Sequence, residues 1–211
     1  MHPAIALGIA YLAGSLPFAY LAGRLLKGID LRTVGSGNLG ATTVYRTLGA
    51  PAAVVVLLLD ALKGGLPVAL LPRLLDPSTT AGDSTMLWWS LAFGVAAIAG
   101  HAKPIFLLWK GGGKGVATAA GVFAAVAPVA LAVSLTLFVL VVWRTRFVSL
   151  GSILAAVVLP LSVALTAGPR SPLFVVACAV AAFVVWSHRA NIQRLRAGTE
   201  SRIGRPTEAT R

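Results

Sequence analysis

Acidic residues are scarce in this chain: six Asp and Glu stand against 18 Lys and Arg in 211 residues, a formal net charge of +12. Charged side chains of both signs make up only 11%, against about 25% in a soluble domain, too few to cover a globular surface. With 57% apolar and aromatic residues and a mean hydropathy of +0.87, the chain is expected to be an integral membrane protein. A basic excess by itself suggests nucleic acid, but the apolar runs force the charges outside the bilayer. There they set topology and meet anionic headgroups or phosphorylated substrates. Cysteine occurs once, as Cys178, which excludes an internal disulfide and, in an apolar run, reads as packing. No basic n-region precedes the first apolar stretch, so that stretch is expected to remain as a span.

Long uncharged runs are what the chain has instead. Pro3 to Gly23 carries no charged side chain and, at about 1.5 Å per residue, reaches roughly 32 Å, enough to cross the hydrocarbon core. Apolar sequence returns from Gly49 to Leu75, around Asp60 and Lys63, and from Met86 to Gly100. The loop between them, Asp76 to Thr85, holds acids and no base, as a non-cytoplasmic loop does. Val116 to Trp143 is long enough for one helix, but a single crossing there would carry Arg144, Arg146 and the arginines of the tail outside. Splitting it near Pro128 into two spans of about 13 to 15 residues returns those bases to the cytoplasm, at the expense of helices shorter than a bilayer.

Spans from Phe147 to Ala167 and Leu173 to Ser187 complete the expected fold: all-α and polytopic, about seven transmembrane helices, N-terminus outside and C-terminus cytoplasmic. On that topology 15 of the 18 bases lie inside, with Arg73 and Arg170 outside and Lys63 within a span. Trp109, Trp143 and Trp186 then fall near the inner boundary and Trp88 and Trp89 near the outer, as an aromatic belt does. After Ser187, Ile192 and Leu195 lie three apart among basic residues, which suits a short interfacial helix ended by Gly198. Residues 1–198 read as one domain, and 199–211 as a loose cytoplasmic tail with too little apolar surface to fold.

This topology gathers three polar segments on the cytoplasmic face: Gly35 to Arg46, Gly111 to Thr118 and His188 to Glu200. In WKGGGKGVAT, Gly111, Gly112, Gly113, Lys114 and Gly115 open an apolar helix, so backbone N–H groups and the helix dipole favour an anion. The other reading is a flexible hinge whose lysine snorkels to the interface. A Walker A motif is excluded, because Gly115 stands where Ser or Thr is required. In GSGNLGATTVYR, Ser36, Asn38 and Thr42 offer hydroxyl and amide groups beside Gly37, which lets a ligand approach the backbone, and Arg46 lies four residues beyond Thr42 on the same helical face. Such an arginine suits bidentate phosphate recognition, or else a lipid phosphate at the inner leaflet.

His188 and Asn191, three apart, put an imidazole and an amide on one face, and the histidine is suited to acting as a base or donor near neutral pH. No second His or acid lies at metal-ligand spacing, so no metal is expected. A Ser-His-Asp triad finds no support either, since Asp30 is the one acid of the first cytoplasmic loop. Asp60 and Lys63 share a helix face inside a span and read as a structural ion pair in preference to an ion pathway, which needs more such groups.

These residues resemble the acyl-phosphate-dependent glycerol-3-phosphate acyltransferases of bacterial membranes, the PlsY family. The resemblance runs from YLAGSLPFAYLAG and GIDLRTVGSGNLGATTVYR through DALKG, GHAKPIFLLWKGGGKGVAT and TRFVSLGSI to HRANIQRLRAGTESRIG. It implies a multi-pass protein of the bacterial cytoplasmic (inner) membrane with its active site facing the cytoplasm. It also implies transfer of a fatty acyl group from acyl phosphate to the 1-hydroxyl of glycerol 3-phosphate, giving lysophosphatidic acid and phosphate, the first acylation of phospholipid synthesis. No cofactor is implied, and the expected partners are the two substrates and membrane lipid, with a monomer acting alone and no nucleic acid.

Carried over by position, the catalytic residues implied are Ser36, Arg46, Lys114, His188 and Asn191. Gly37, Asn38, Thr42, Gly111, Gly112, Gly113, Gly115 and Ser149 are implied as substrate or phosphate contacts, and Glu200 as a structural acid. The proton acceptor is either His188 or a substrate phosphate, and the resemblance favours the phosphate. The chain departs from the usual pattern at Thr43, Lys103 and Ala190 and by an added glycine before Lys114, which bears on affinity and loop geometry more than on reaction type. A transporter of a phosphorylated solute is the alternative class, against which stands the clustering of phosphate-binding groups on one face.

Overall fold

A computed structural model describes residues 1–80 and 82–204, and among the described residues all regular structure is helical. The chain divides into two compact units, Met1–Pro128 and the part from Val129 onward.

The first unit holds α1 (Pro3–Gly14), α2 (Phe18–Lys27), α3 (Ala41–Leu48), α4 (Ala50–Leu70), α5 (Asp83–Ala102) and α6 (Val116–Val126). The single helix expected from Pro3 to Gly23 is broken. α1 stops at Gly14, and Pro17, at φ −93° and ψ 66°, precedes α2, because a proline has no N–H to continue the ladder. Side chains add to the backbone bonds at the break: Ser15 Oγ donates to Tyr11 O (2.8 Å), which also accepts Ser15 N–H, and Lys63 Nζ donates to Leu16 O (2.8 Å), which also accepts Phe18 N–H. The second unit holds α7, which begins at the boundary (Pro128–Thr145), then α8 (Val148–Ala167), α9 (Pro172–Ser187) and α10 (Arg189–Arg196).

Pro3–Lys27, Ala50–Leu74, Asp83–Leu107, Pro128–Thr145 and Val148–Ala167 are long and apolar enough to cross a membrane. Pro172–Ser187 with Arg189–Arg196, bent by 56°, makes a sixth when counted as one span. The helix break expected near Pro128 lies at Ala127 (φ −151°, ψ 60°). Its two sides are unequal, however, 11 residues in α6 and 18 in α7. At 1.5 Å per residue α6 reaches only about 16 Å, half a hydrocarbon core.

In lipid, apolar side chains gain little by leaving one hydrocarbon for another, so helices associate through close backbone packing at small residues. Two crossings in the first unit are built this way. A Cβ on Gly14 would strike Ala97 O and one on Gly100 would strike Tyr11 O, where α1 meets α5. A Cβ on Gly64 would strike Thr118 O and one on Gly121 would strike Ala61 O, where α4 meets α6. Within α4 the expected ion pair is present: Lys63 Nζ lies 2.7 Å from Asp60 Oδ1, with side chains 4% and 3% exposed.

In the second unit α8 and α9 pack together, and the chain bends at His188 (φ −95°, ψ 8°) into α10. Gly198 (φ 70°) follows that helix, its N–H donating to Leu195 O. The segment Thr199–Gly204, placed in the tail by composition, is tied back: Ile203 N–H donates to Arg146 O (2.8 Å), and Glu200 is hydrogen-bonded as described below. The rest of the tail, residues 205–211, lies outside the described residues.

Gly121→Val tests the α4–α6 crossing. Overpacking of this kind costs about 1–3 kcal/mol, so the variant is expected to show a lower Tm in detergent than wild type, while Gly8→Ala, where an added methyl meets nothing within 4 Å, is expected to match wild type.

Candidate functional site

In the first unit the two glycine-rich segments are joined. Leu39 N–H donates to Gly112 O (3.0 Å), and Gly113 N–H donates to His101 O (3.1 Å). Apolar anchors hold these loops down: Leu31, Leu39, Val44, Val56 and Leu107 form one buried cluster with Ala19 and Ala53. The loops are held from below by their leucines while their polar residues stay accessible. Ser36 and Arg46 are exposed, Asn38, Thr42 and Lys114 half-buried.

The glycines are required by conformation and by space. Gly37, Gly111, Gly112 and Gly115 sit at φ 68°, 98°, 156° and 77°, where an L side chain is strained. Gly113 instead has no room, because a Cβ there would fall on His101 Nε2. Gly115 caps α6, so Lys114 and the glycines before it lie at the positive end of a helix dipole. Just upstream, Leu108 (φ 51°) and Trp109 (φ 57°) are left-handed without being glycine. Trp109 N–H donates to Pro104 O (3.0 Å) and Trp109 Nε1–H to Tyr11 Oη (2.9 Å), while Tyr11 Oη–H donates to Lys103 O (2.7 Å).

Arg32 also reaches the glycine segment, Nη1 donating to Lys110 O (3.3 Å). Asp30 orients it, accepting from Arg32 Nη2 at 2.7 Å and from Arg24 Nη2 at 3.3 Å. Hydrogen bonds from the Arg32 side chain, well ahead of the plain attraction of Arg32 and Arg24, push the Asp30 carboxyl down to about 2. α3 carries Thr42 and Arg46 on one face, as their spacing predicts.

In the second unit Glu200 gathers the expected residues. Its Oε1 accepts from Ser149 Oγ (2.7 Å) and Asn191 Nδ2 (2.6 Å), and its Oε2 from Arg194 Nε (2.7 Å). Burial raises the carboxyl, but these hydrogen bonds and the Arg194 charge outweigh it and hold Glu200 below its ordinary value. Ser149 is buried, with its hydroxyl proton directed to Glu200, which makes it a support for that carboxylate; the proton is not available to a phosphate while this bond is made. His188 Nδ1 lies 2.8 Å from Val184 O. A carbonyl only accepts, so Nδ1 carries the hydrogen, and in the neutral ring Nε2 is the acceptor nitrogen.

The family model described as glycerol-3-phosphate acyltransferase matches residues 4–198. This chain belongs to that family. Relatives bearing the family's name include one from Synechococcus sp. (strain CC9902), 49% identical over 94% of both chains. Another, from Geobacter sulfurreducens, is 46% identical over 96% of this chain and 98% of its own. Among solved structures, PlsY, an integral membrane glycerol 3-phosphate acyltransferase, is similar in its glycerol 3-phosphate form with a TM-score of 0.83 at 38% identity, covering 96% of each chain. Its lysophosphatidic acid form is similar with a TM-score of 0.80.

Of the positions at which the resemblance implies a departure, two lie on the surface and one is engaged within its own helix. Lys103 and Ala190 are exposed, and the Thr43 carbonyl accepts from Thr47 Oγ1 (2.9 Å) within α3. Sequence reasoning passed over Arg32, Leu39, Tyr11 and His101, all of which touch the loops. Leu39 was legible as the one large apolar residue in a small polar run. His101 carries no sequence signal beyond sitting at the end of an apolar segment.

Glu200→Gln tests the second cluster. Losing hydrogen bonds to a charged group costs about 1–3 kcal/mol, so Tm is expected to fall near neutral pH. The folded carboxyl lies below its ordinary 4.5, so its stabilisation is complete above that pH and lost as pH falls through the lowered value. The gap between wild type and variant is therefore expected to narrow on acidification below 4.5, in Tm measured against pH.

Proposed function

We propose that this chain transfers a fatty acyl group from acyl phosphate to the 1-hydroxyl of glycerol 3-phosphate, releasing phosphate and lysophosphatidic acid. What carries the reading is the bond between Leu39 and Gly112. It brings the Ser36–Arg46 segment and the Gly111–Gly115 segment together as one basic, N–H-rich surface, in a chain whose relatives are named glycerol-3-phosphate acyltransferases. The rest of the topology is part of the same proposal: seven crossings of the bacterial inner membrane, N-terminus outside and C-terminus inside. Residues 1–198 act as one domain of a monomer, with the reacting groups on the cytoplasmic side.

The chemistry asks mainly for charge stabilisation. The glycerol 1-hydroxyl oxygen attacks the acyl carbonyl carbon, the carbonyl-to-phosphate C–O bond breaks, and inorganic phosphate departs. Negative charge develops first on the carbonyl oxygen and then on the departing phosphate, and preorganised N–H groups and cations lower the barrier to both. Backbone N–H groups of Gly111, Gly112 and Gly115, with Lys114, hold phosphate at the α6 N-terminus, while Gly113, whose N–H is taken by His101 O, fixes the course of the segment. Ser36, Asn38 and Thr42 add side-chain donors, Gly37 lets the ligand approach the backbone, and Arg46 binds phosphate in bidentate fashion.

In the second unit Asn191 and His188 orient the acceptor alcohol, and Glu200 with Ser149 holds Asn191 in place. The proton goes either to His188 Nε2, whose tautomer suits that role, or to a substrate phosphate. An apolar donor in the bilayer and a polar acceptor in water meet only at an interface, which accounts for an enzyme of this reaction lying in the membrane.

Purified protein mixed with palmitoyl phosphate and radiolabelled glycerol 3-phosphate is expected to form labelled lysophosphatidic acid, and acyl-CoA is expected not to replace the donor. Lys114→Ala is expected to lower kcat/KM by about 100-fold or more, the range for one lost transition-state donor. Product from acyl-CoA alone would refute the donor, and no product with either donor would refute the reading. His188→Gln with full activity and an unchanged acid limb of the pH profile would assign the proton to phosphate.

A further inference from the structure

The reaction proposed above leaves one cluster unused. Asp60 and Lys63 of α4 and His101 of α5 are 2%, 6% and 7% exposed and line a small cavity with Ser15, Gly112 and Gly113. Burying charge in an apolar bundle is costly, and such groups persist where they serve function. This cluster touches three things at once. Lys63 Nζ donates to Leu16 O (2.8 Å) in the break between α1 and α2 and lies 5.4 Å from the centre of the Phe18 ring. Asp60 Oδ1 lies 2.7 Å from Lys63 Nζ and 3.7 Å from His101 Nδ1. The opposite nitrogen, His101 Nε2, abuts Gly113, so closely that a methyl on that glycine would overlap it. The His101 carbonyl meanwhile accepts the Gly113 N–H (3.1 Å).

We propose that Asp60, Lys63 and His101 are positioning residues that set the geometry of the glycine segment, and through it the affinity for the phosphate of glycerol 3-phosphate. The inference rests on the function proposed above. Lys63 fixes Asp60 against the helix break, the Asp60 carboxylate faces Nδ1 of the imidazole across 3.7 Å, and the imidazole forms the floor under Gly113. Glycine at 113 is then explained by the ring beneath it, since this position, unlike Gly111, Gly112 and Gly115, has no positive φ to require one. Lys114 follows directly, so a shift of the floor moves its backbone and side chain relative to the bound phosphate. A misplacement of order 1 Å at such a contact weakens the hold on that phosphate.

Equilibrium binding of radiolabelled glycerol 3-phosphate to purified protein tests this without a donor, alongside steady-state kinetics. His101→Ala leaves the Asp60–Lys63 pair intact and is expected to weaken glycerol 3-phosphate binding and raise its KM by about 10- to 100-fold, with KM for palmitoyl phosphate unchanged and kcat at saturation largely kept. The doubly neutral variant Asp60→Leu with Lys63→Met removes both charges together, avoiding an unpaired one, and is expected to give the same signature. Gly113→Ala is expected to be severe in wild type and milder beside His101→Ala, a non-additivity that a direct contact predicts.

Unchanged glycerol 3-phosphate affinity in folded His101→Ala would overturn the inference. So would a parallel loss of kcat, both KM values and Tm, which would make the cluster a fold element only. Wild-type protein that binds glycerol 3-phosphate but makes no product from palmitoyl phosphate would refute the proposed donor while leaving the binding comparison decisive. Wild-type protein that fails to bind glycerol 3-phosphate would overturn both.

Discussion

Close backbone approach between helices is the constraint on which the site loops depend. Apolar side chains gain nothing by leaving one hydrocarbon environment for another, so the bundle is held by contacts that only glycine permits. Gly14 and Gly100 join α1 to α5, and Gly64 and Gly121 join α4 to α6. The glycine segment is strung between the end of α5 and the start of α6. Its two anchor points are thus fixed by the same crossings that hold the bundle, and a shift at either crossing is passed to the backbone N–H groups of the loop.

Acids beside the basic loops need their own explanation, because six carboxylates are few in this chain and an unneutralised one would repel an anion. Asp30 and Glu200 are each answered by arginine and act through it. Asp30 is paired with Arg32, which reaches over to Lys110 O. Glu200 is paired with Arg194 while it gathers Ser149 and Asn191. In both cases the carboxylate is a fixed acceptor that sets the direction of donors, and its low folded pKa keeps it in that role through the neutral range.

Much of this was legible in the sequence. The helical membrane architecture followed from composition and run length, the break at Pro128 from positive charge on one side of it, and the Asp60–Lys63 pair from spacing and burial. The bend at His188 and the end of α10 before Gly198 came from local chemistry. Less legible was anything set by tertiary distance. The break at Ser15–Pro17 was hidden because the apolar run continues through the proline, and the side chain that bonds to it, Lys63, lies 47 residues away. Ser149 was implied as a phosphate contact by the family resemblance alone, and its bond to Glu200, 51 residues on, had no sequence signal. His101 had no signal at all, since its significance lies in which ring face meets Gly113.

The same buried cluster bears on the choice between moving a solute and modifying one. A carrier built on inverted repeats keeps its polar groups available at mid-membrane, where discontinuous helices expose backbone to the substrate. Here α1 and α2 are discontinuous, but the carbonyl opened at that break is taken by Lys63, and Lys63 is in turn paired with Asp60. The helix break is therefore closed by an internal cation where a carrier would leave it for cargo. Ser36, Arg46 and Lys114, the residues proposed to meet a ligand, lie in the loops beyond the helix ends or on short α3. A polar surface carried on loops, with the ion pair of α4 engaged at the helix break, suits chemistry between a lipid-borne donor and a water-borne acceptor.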